Sequence, residues 1–476
     1  MSGRMLHGRM RRSNSRWTTA PAASVLAGLL LATMTACKDS PTDGGGDETD
    51  PGADAALYVD AARGADASAG TREAPFATIA AAVQRASPGQ EVRIAGGVYP
   101  QTLSLRSGLR LMGGYDGASW QRTNAPTFVG AGNVAVRGAN VSDIVLDGLI
   151  VQSADVTDAG VSSIAMQLEN VSGLTLRSSR LMAGRGADGS EGAPGTAGAR
   201  GGNGASGQTP VACFPGVTRA GGGGASSSFA AGGRGGIGST VDGGDGSRGG
   251  GPDGGDGGPG GDRIGGIGQN GRPGSPGAPG SRGQDGRGGV EFGTVTAGSY
   301  EPAAGADGAA GSHGSGGGGG GGGAGAGAAC GASGSGGGSG GARGSAGTGG
   351  TGGGGSFGLV VSGEVNLDRV EIVTAGGGIG GDGGQGGTGG AGGSGGAGRG
   401  GSGVLGAGGA GGAGGPGGDA GHGGGGGGGP SIGILELDGA QVTAVAVTFS
   451  LGEAGRGGES AGNPGQPGTR AERHSN

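Results

Sequence analysis

The apolar residues of this chain fall into short runs, and two spacings govern them. Early on, Phe76, Ile79, Ala82, Val83 and Ala86 recur at the spacing of one helix face, so residues 75–87 are predicted as a short amphipathic helix. Pro75 suits its first turn, and Pro88-Gly89 stops it. Strand-like runs follow at 91–95, 102–105 and 109–112, separated by Gly-Gly and Ser-Gly turns. A longer pattern then sets in. Apolar runs at 134–136, 144–146 and 149–151 return thirty residues later at 164–168, 174–176 and 181–182, each set with an Asn-Val-Ser (140–142, 170–172) between its first two runs. The pattern comes back at 356–361, 365–367 and 370–373, and again at 431–437 and 442–447. Repetition of a few short strands is the mark of a stacked repeat fold, with parallel backbone pairing between successive turns of the chain.

What separates the repeats is as regular as the repeats. Each is followed, just past its last strand, by an interruption: 152–162, 183–355, 374–430 and the tail 452–476. The long ones are therefore expected to leave one corner of successive repeats and to lie side by side.

Composition shows what the interruptions are. Of 476 residues 143 are glycine, hydrophobic residues make up 32% and aromatics 3%, which excludes one compact core of this length. Glycine recurs every third residue from 186 to 207, 265 to 289, 377 to 401 and 406 to 427, and in the last two blocks a second register gives mostly Gly-Gly-X. Collagen would need far more than the 20 prolines present, and only 272–280 has that flavour. Two readings stay open. One is a bundle of polyglycine-type helices, with three residues per turn, pairing backbones between neighbours and displaying Ala, Ser, Thr, Asp, Gln or Arg on the third edge. The other is disorder, because ordering glycine is entropically costly and no side chain is buried to offset it.

The stretch LYVDAARGADASAGTREAPFATIAAAVQRASPGQEVRIAGGVYPQTLSLRSGLRLMGGYDGASWQR, from Leu57 to Arg122, resembles the cap and first rungs of bacterial right-handed parallel β-helix proteins of the pectin-lyase-like superfamily. The resemblance implies an all-β fold: a short right-handed parallel β-helix with an N-terminal cap helix, interrupted by the glycine-rich inserts. It says little about activity. In composition the inserts resemble the glycine-rich repeats of mycobacterial PE-PGRS proteins, without the PE helical domain.

The N-terminus carries Arg4, Arg9, Arg11, Arg12 and Arg16, then an apolar stretch at 22–34, and ends Leu31-Ala32-Thr33-Met34-Thr35-Ala36-Cys37. A basic region followed by an apolar segment too short to span a bilayer is the layout of a signal peptide. The terminal residues resemble a bacterial lipobox, with Met34 where leucine is usual. That resemblance implies acylation of Cys37 as the mature N-terminus, and Lys38 in place of an aspartate implies the outer membrane. Residues 38–55 are acidic, rich in Gly and Pro, and too poor in apolar residues to fold.

The expected organisation is a signal peptide (1–37), an acidic tether (38–55), a cap with first rungs (56–182), a glycine-rich insert (183–355), a rung (356–373), a second insert (374–430), a last rung (431–451) and a low-complexity tail (452–476).

Candidate chemistry is sparse. With Cys37 assigned to lipid, Cys213 and Cys330 remain, and outside the cytosol they are candidates for a disulfide; two free thiols are the alternative. Lys38 is the only lysine, so no Walker-type phosphate loop exists, and Gly-x-Gly-x-x-Gly occurs by chance in such a chain. His7, His313, His422 and His474 lack ligand spacing. Asp242, Asp245, Asp253, Asp256 and Asp262 suggest calcium weakly, in a broken register. A net charge of −6 without a basic patch argues against nucleic acid. The rung carboxylates and arginines (Asp143, Asp147, Glu169, Arg177, Arg180, Asp368, Arg369, Glu371 and Glu436) form no evident catalytic set. No catalytic or cofactor-binding residue is assigned. The expectation is a non-enzymatic outer-membrane or cell-surface lipoprotein, a scaffold or adhesin meeting surface polysaccharide or another cell. A carbohydrate-active enzyme and an ice- or mineral-binding surface are the alternatives.

Overall fold

The computed structural model describes residues 56–475 except 215 and 297. Cys37, the apolar segment at 22–34 and the acidic stretch at 38–55 lie outside the described residues.

The fold is all-β, with 2% helix, and it is dominated by one large, curled, parallel sheet. Its main path runs through Leu57–Val59, Glu91–Ala95, Arg110–Tyr115, Ser142–Asp147, Ser163–Ala183, Ser356–Thr374, Ser431–Glu436 and Arg470–Ser475. The repeats set the register. Ile164, Leu174 and Leu181 pair with Val134, Ile144 and Val151, and on the other side with Phe357, Val365 and Ile372. Leu359 and Ile372 then pair with Ile434 and Phe449. Like therefore stacks on like, and columns such as Val136, Met166, Leu359 and Ile434 are fully buried in the main core.

Turns between the runs also stack. Gly148, Ser178, Arg369 and Ala446 all have positive φ, between 46° and 69°. The register places them in one column. A left-handed residue at the same point of every repeat bends the strand there, at a cost of about 1–2 kcal/mol for each non-glycine residue. Asn140 and Asn170, at φ 55° and 50°, bend the preceding turn, and the Asn170 amide donates to the Asn140 side-chain oxygen at 2.7 Å.

The predicted helix is present but shorter, Ile79–Arg85. Phe76 instead joins the first strand: its N–H donates to Tyr58 O at 2.9 Å, and Asp60 N donates back to its carbonyl at 2.8 Å. Thr78 then caps the helix, its Oγ1 accepting from Ala81 N. Arg470–Ser475 is a strand that the apolar pattern did not predict, pairing in parallel with Ser431–Glu436.

The glycine-rich segments leave the sheet from one column and return to another. Ala183, Thr374 and Leu451, the last strand residues before three of them, are register partners in sequence. Ser163, Ser356, Ser431 and Arg470, where the chain re-enters, are partners likewise. Buried hydroxyls line this junction: Ser153 meets Ser163 at 2.8 Å, Ser356 donates to Gly184 O at 2.7 Å, and Thr374 meets Ser431 at 2.8 Å.

Between exit and return the chain runs extended, back and forth, and the segments bond to each other. Gly189, Gly192, Gly195 and Gly198 donate to the carbonyls of Ile379, Asp382, Gln385 and Thr388 at 2.7–2.8 Å. Every third N–H points to one neighbour, as expected of chains with three residues per turn and no internal hydrogen bonds. At 316–323, eight consecutive glycines, all three directions are used: Gly316, Gly317 and Gly318 donate to Gly250, Gly338 and Ser275, and Gly319, Gly320 and Gly321 to Ser247, Ser335 and Arg272. Their carbonyls accept from three further segments, through Gly255, Gly233, Gly412, Gly258, Gly236 and Gly409.

Glycine content thus follows the number of neighbours. A Cβ at Gly192 would meet the backbone of Thr348 and Gly384, and one glycine per turn suffices there. Residues 376–396 carry two neighbours more and read Gly-Gly-X. The runs 316–323 and 423–429 are buried on every side and read as pure glycine. No edge of such a chain has room for a side chain.

Candidate functional site

Three places could carry function: the polar positions of the glycine array, its far end, and a cleft where it meets the sheet.

The non-glycine positions of the array are mostly Ser, Thr, Asp, Asn and Ala, and their role is internal. Short polar side chains accept N–H groups that glycine-to-glycine pairing leaves over. Thr351, Thr348 and Ser345 accept from Ser190, Ala193 and Thr196 at 2.6–2.7 Å. Asp188, Asp382 and Asp285 accept from Ile379, Glu459 and His422 at 2.7–2.8 Å. The His422 N–H first, and Arg282 with it, hold the Asp285 carboxyl below its ordinary range. A side chain two or three bonds long reaches the neighbouring backbone.

Of the aspartates that suggest calcium, two belong to the same system. Asp242 and Asp245 accept from Arg263 N and Gly260 N at 2.6 and 2.7 Å, and Asp256 pairs with Arg248. Among the described residues, no three His, Cys, Asp or Glu side chains converge so as to hold a metal ion.

At the far end from the sheet the segments reverse in tight turns. The structure joins Cys213 to Cys330 in a disulfide there, with Cα atoms 5.6 Å apart, closing a loop of 117 residues in sequence. Cys330 is fully buried, and Val211–Ala212 pairs with Ala329–Cys330.

The cleft has a volume of about 570 Å³ and is lined by Asn133, Arg137, Ile164, Gln167, Tyr300 and Thr351 among others. The hairpin Thr294–Thr296 and Ser299–Glu301, part of the first insert, forms one wall. It is pinned by Tyr300, whose ring lies 5.3 Å from Phe357 and 5.2 Å from Phe292. Burial pushes the Tyr300 hydroxyl up to about 12, against the Gly293 N–H that it accepts. Tyr300 therefore stays protonated, a packing group with a polar end. Arg137 is the only charged side chain of the lining, and it donates to Gln167 at 2.9 Å, which donates on to Gly298 O.

The carboxylates of the repeats are engaged separately. Asp147 is buried and receives Arg122 and Arg177 at 2.5 and 2.6 Å. Burial works to raise its pKa, but the hydrogen bonds from both arginines prevail and hold it below the ordinary carboxylate range. Glu371 pairs with Arg180 at 3.1 Å, Asp368 with its neighbour Arg369 at 2.8 Å, and Glu436 with Arg473. Asp143 sits in a turn at φ 56°.

A carboxylate with a depressed folded pKa stabilises the fold above its unfolded pKa, near 4, and loses that contribution as pH falls through the folded value. Stability should therefore decline as pH drops below about 4. Asp147→Asn should lower stability at neutral pH and flatten the decline; an unchanged acid limb in pH-dependent thermal unfolding would reject this role.

No protein-family model, curated protein or solved structure matches the chain. Among the described residues no helix is long and apolar enough to cross a membrane.

Proposed function

We propose that this chain is an exported lipoprotein, held by acyl chains on Cys37, whose right-handed parallel β-helix carries a polyglycine-type bundle as a surface scaffold or adhesin. The observation that carries the reading is that the inserts all leave the sheet from one column of register partners and all return at another. A stack of repeats that fixes both ends of every insert supplies the alignment that glycine chains cannot supply themselves. The array spends its polar groups on internal pairing, which suits a stiff projection better than a reaction centre. The cleft, with one guanidinium and no carboxylate in its lining, adds nothing that points to lyase or hydrolase chemistry. The N-terminal arginines, apolar segment and lipobox-like ending supply the export and anchoring half of the proposal.

Labelled palmitate tests the anchor. Cells making the full chain should label it, and Cys37→Ala should abolish the label; undiminished labelling would reject the anchor. Protease added to intact cells tests the surface role. Cleavage of the chain without lysis is expected, and protection until lysis would overturn it.

A further inference from the structure

The array ends in a cluster of turns whose side chains contradict the rest of its surface. The segments reverse near 211–218, 239–242, 263–268, 326–329 and 402–405. These turns are tied together: Cys213 N donates to Ala328 O at 2.9 Å, and Gly325 N to Val241 O and Gly268 N to Val404 O at 2.8 Å, with the Cys213–Cys330 bridge beneath. Most of the large apolar side chains that stand exposed on the described residues lie here. Phe214 is 83% exposed and Ile264 63%, and Val217, Val241, Ile267 and Val404 are about half exposed. Ile264 and Ile267 flank Gly265-Gly266, both at positive φ, a two-residue hairpin turn with one isoleucine on either side of it.

Turn residues are ordinarily polar, and scattered apolar side chains need no account. Several separate turns that each carry an apolar side chain, gathered at one end of an array dominated by Gly, Ala and short polar residues whose other exposed large apolar side chains (Phe229, Ile237, Val290 and Ile379) stand singly, do need one. We propose that this end inserts into the interfacial region of a phospholipid bilayer. The tip is a set of projecting side chains and not a groove. A protein partner would have to offer matching pockets, whereas a fluid interface accepts projecting apolar groups without complementarity. Arg263 and Arg399 stand exposed beside the apolar turns, placed to meet lipid phosphates as the turns enter. The Arg399 Nε–H is spent on Gly207 O, which fixes the base of its side chain. The disulfide holds the turns together, so little ordering is needed on contact.

This names a partner for the proposed surface role, but the lipid affinity of the tip stands without the Cys37 anchor and is tested apart from it. The probe is a tryptophan at the tip, Phe214→Trp, in the full chain carrying Cys37→Ala, mixed with vesicles of phosphatidylcholine and phosphatidylglycerol. Its emission should shift to the blue and be quenched by acyl chains brominated near the headgroup. Val98→Trp, exposed on the sheet, should show neither. The pair Ile264→Ser with Ile267→Ser should weaken vesicle binding at least tenfold while the disulfide and circular dichroism stay native. Three results would overturn the proposal: no quenching at 214 in vesicle-bound protein, equal quenching at 98, or a tip variant that alters sedimentation without lipid, which would make the tip a contact between copies of this chain. Loss of palmitate labelling bears only on the anchor.

Discussion

Replacing Gly320 by alanine is expected to destabilise the protein by about 3 kcal/mol or more, whereas the same change at Gly223 should be neutral or slightly stabilising. Gly320 lies in the surrounded run, and its Cβ would strike the backbone of Gly409 and Ala410. Backbone cannot rotate aside as a side chain can. The neighbouring segments would have to separate, weakening the bonds from Gly320 N to Ser335 O and from Gly236 N to Gly320 O, both 2.8 Å. Overpacking of this kind costs about 1–3 kcal/mol, and each lost hydrogen bond adds about 1 kcal/mol. At Gly223 nothing lies within 4 Å of the position. Alanine there only narrows the unfolded ensemble, a gain of about 0.4–1 kcal/mol. Denaturant midpoints of the two variants make the comparison, and equal costs at both sites would mean that the array is not packed as described.

Phe357→Ala is expected to cost about 3–5 kcal/mol, the range for removing a buried phenylalanine. Phe357 is fully buried, pairs in register with Ile164 and Ile432, and supports Tyr300 from the first insert. Truncation would free the hairpin that closes the cleft. The Tyr300 hydroxyl, raised to about 12 by burial, should then titrate near the ordinary tyrosine value of about 10. Phe357→Leu, closer in volume, should cost under about 1.5 kcal/mol and leave that titration high. Unfolding by denaturant and ultraviolet titration of tyrosine read the two effects separately.

Much of this was legible in the chain because stacking forces like residues into like positions. Val134, Ile144 and Val151 announce Ile164, Leu174 and Leu181, and the pairing register keeps the same thirty-residue offset. The common exit of the inserts was legible for the same reason. The strand Arg470–Ser475 was not, because an edge strand half in solvent needs little apolar patterning, and only Ala471 and His474 are even partly covered. The three-residue spacing puts the polar array positions on a displayed edge, whereas Thr348, Ser345 and Asp382 bind neighbouring backbone. Spacing alone fixes which residues share an edge but not whether that edge faces solvent or another chain. The runs of pure glycine held that information, since only a chain surrounded on all edges excludes every side chain. The hydroxyl column at Ser153, Ser163, Ser356, Thr374 and Ser431 was hidden because each sits singly at a strand end, and only register brings them together.

The central claim is that the glycine segments form an ordered array, paired through their backbones. Amide hydrogen exchange measures this most directly. The N–H groups of 316–325, each donated to a neighbouring segment, should be protected to the same degree as those of Ser163–Ala183 in the sheet. Exchange of the glycine amides at the rate of an unstructured chain, with the sheet still protected, would contradict it.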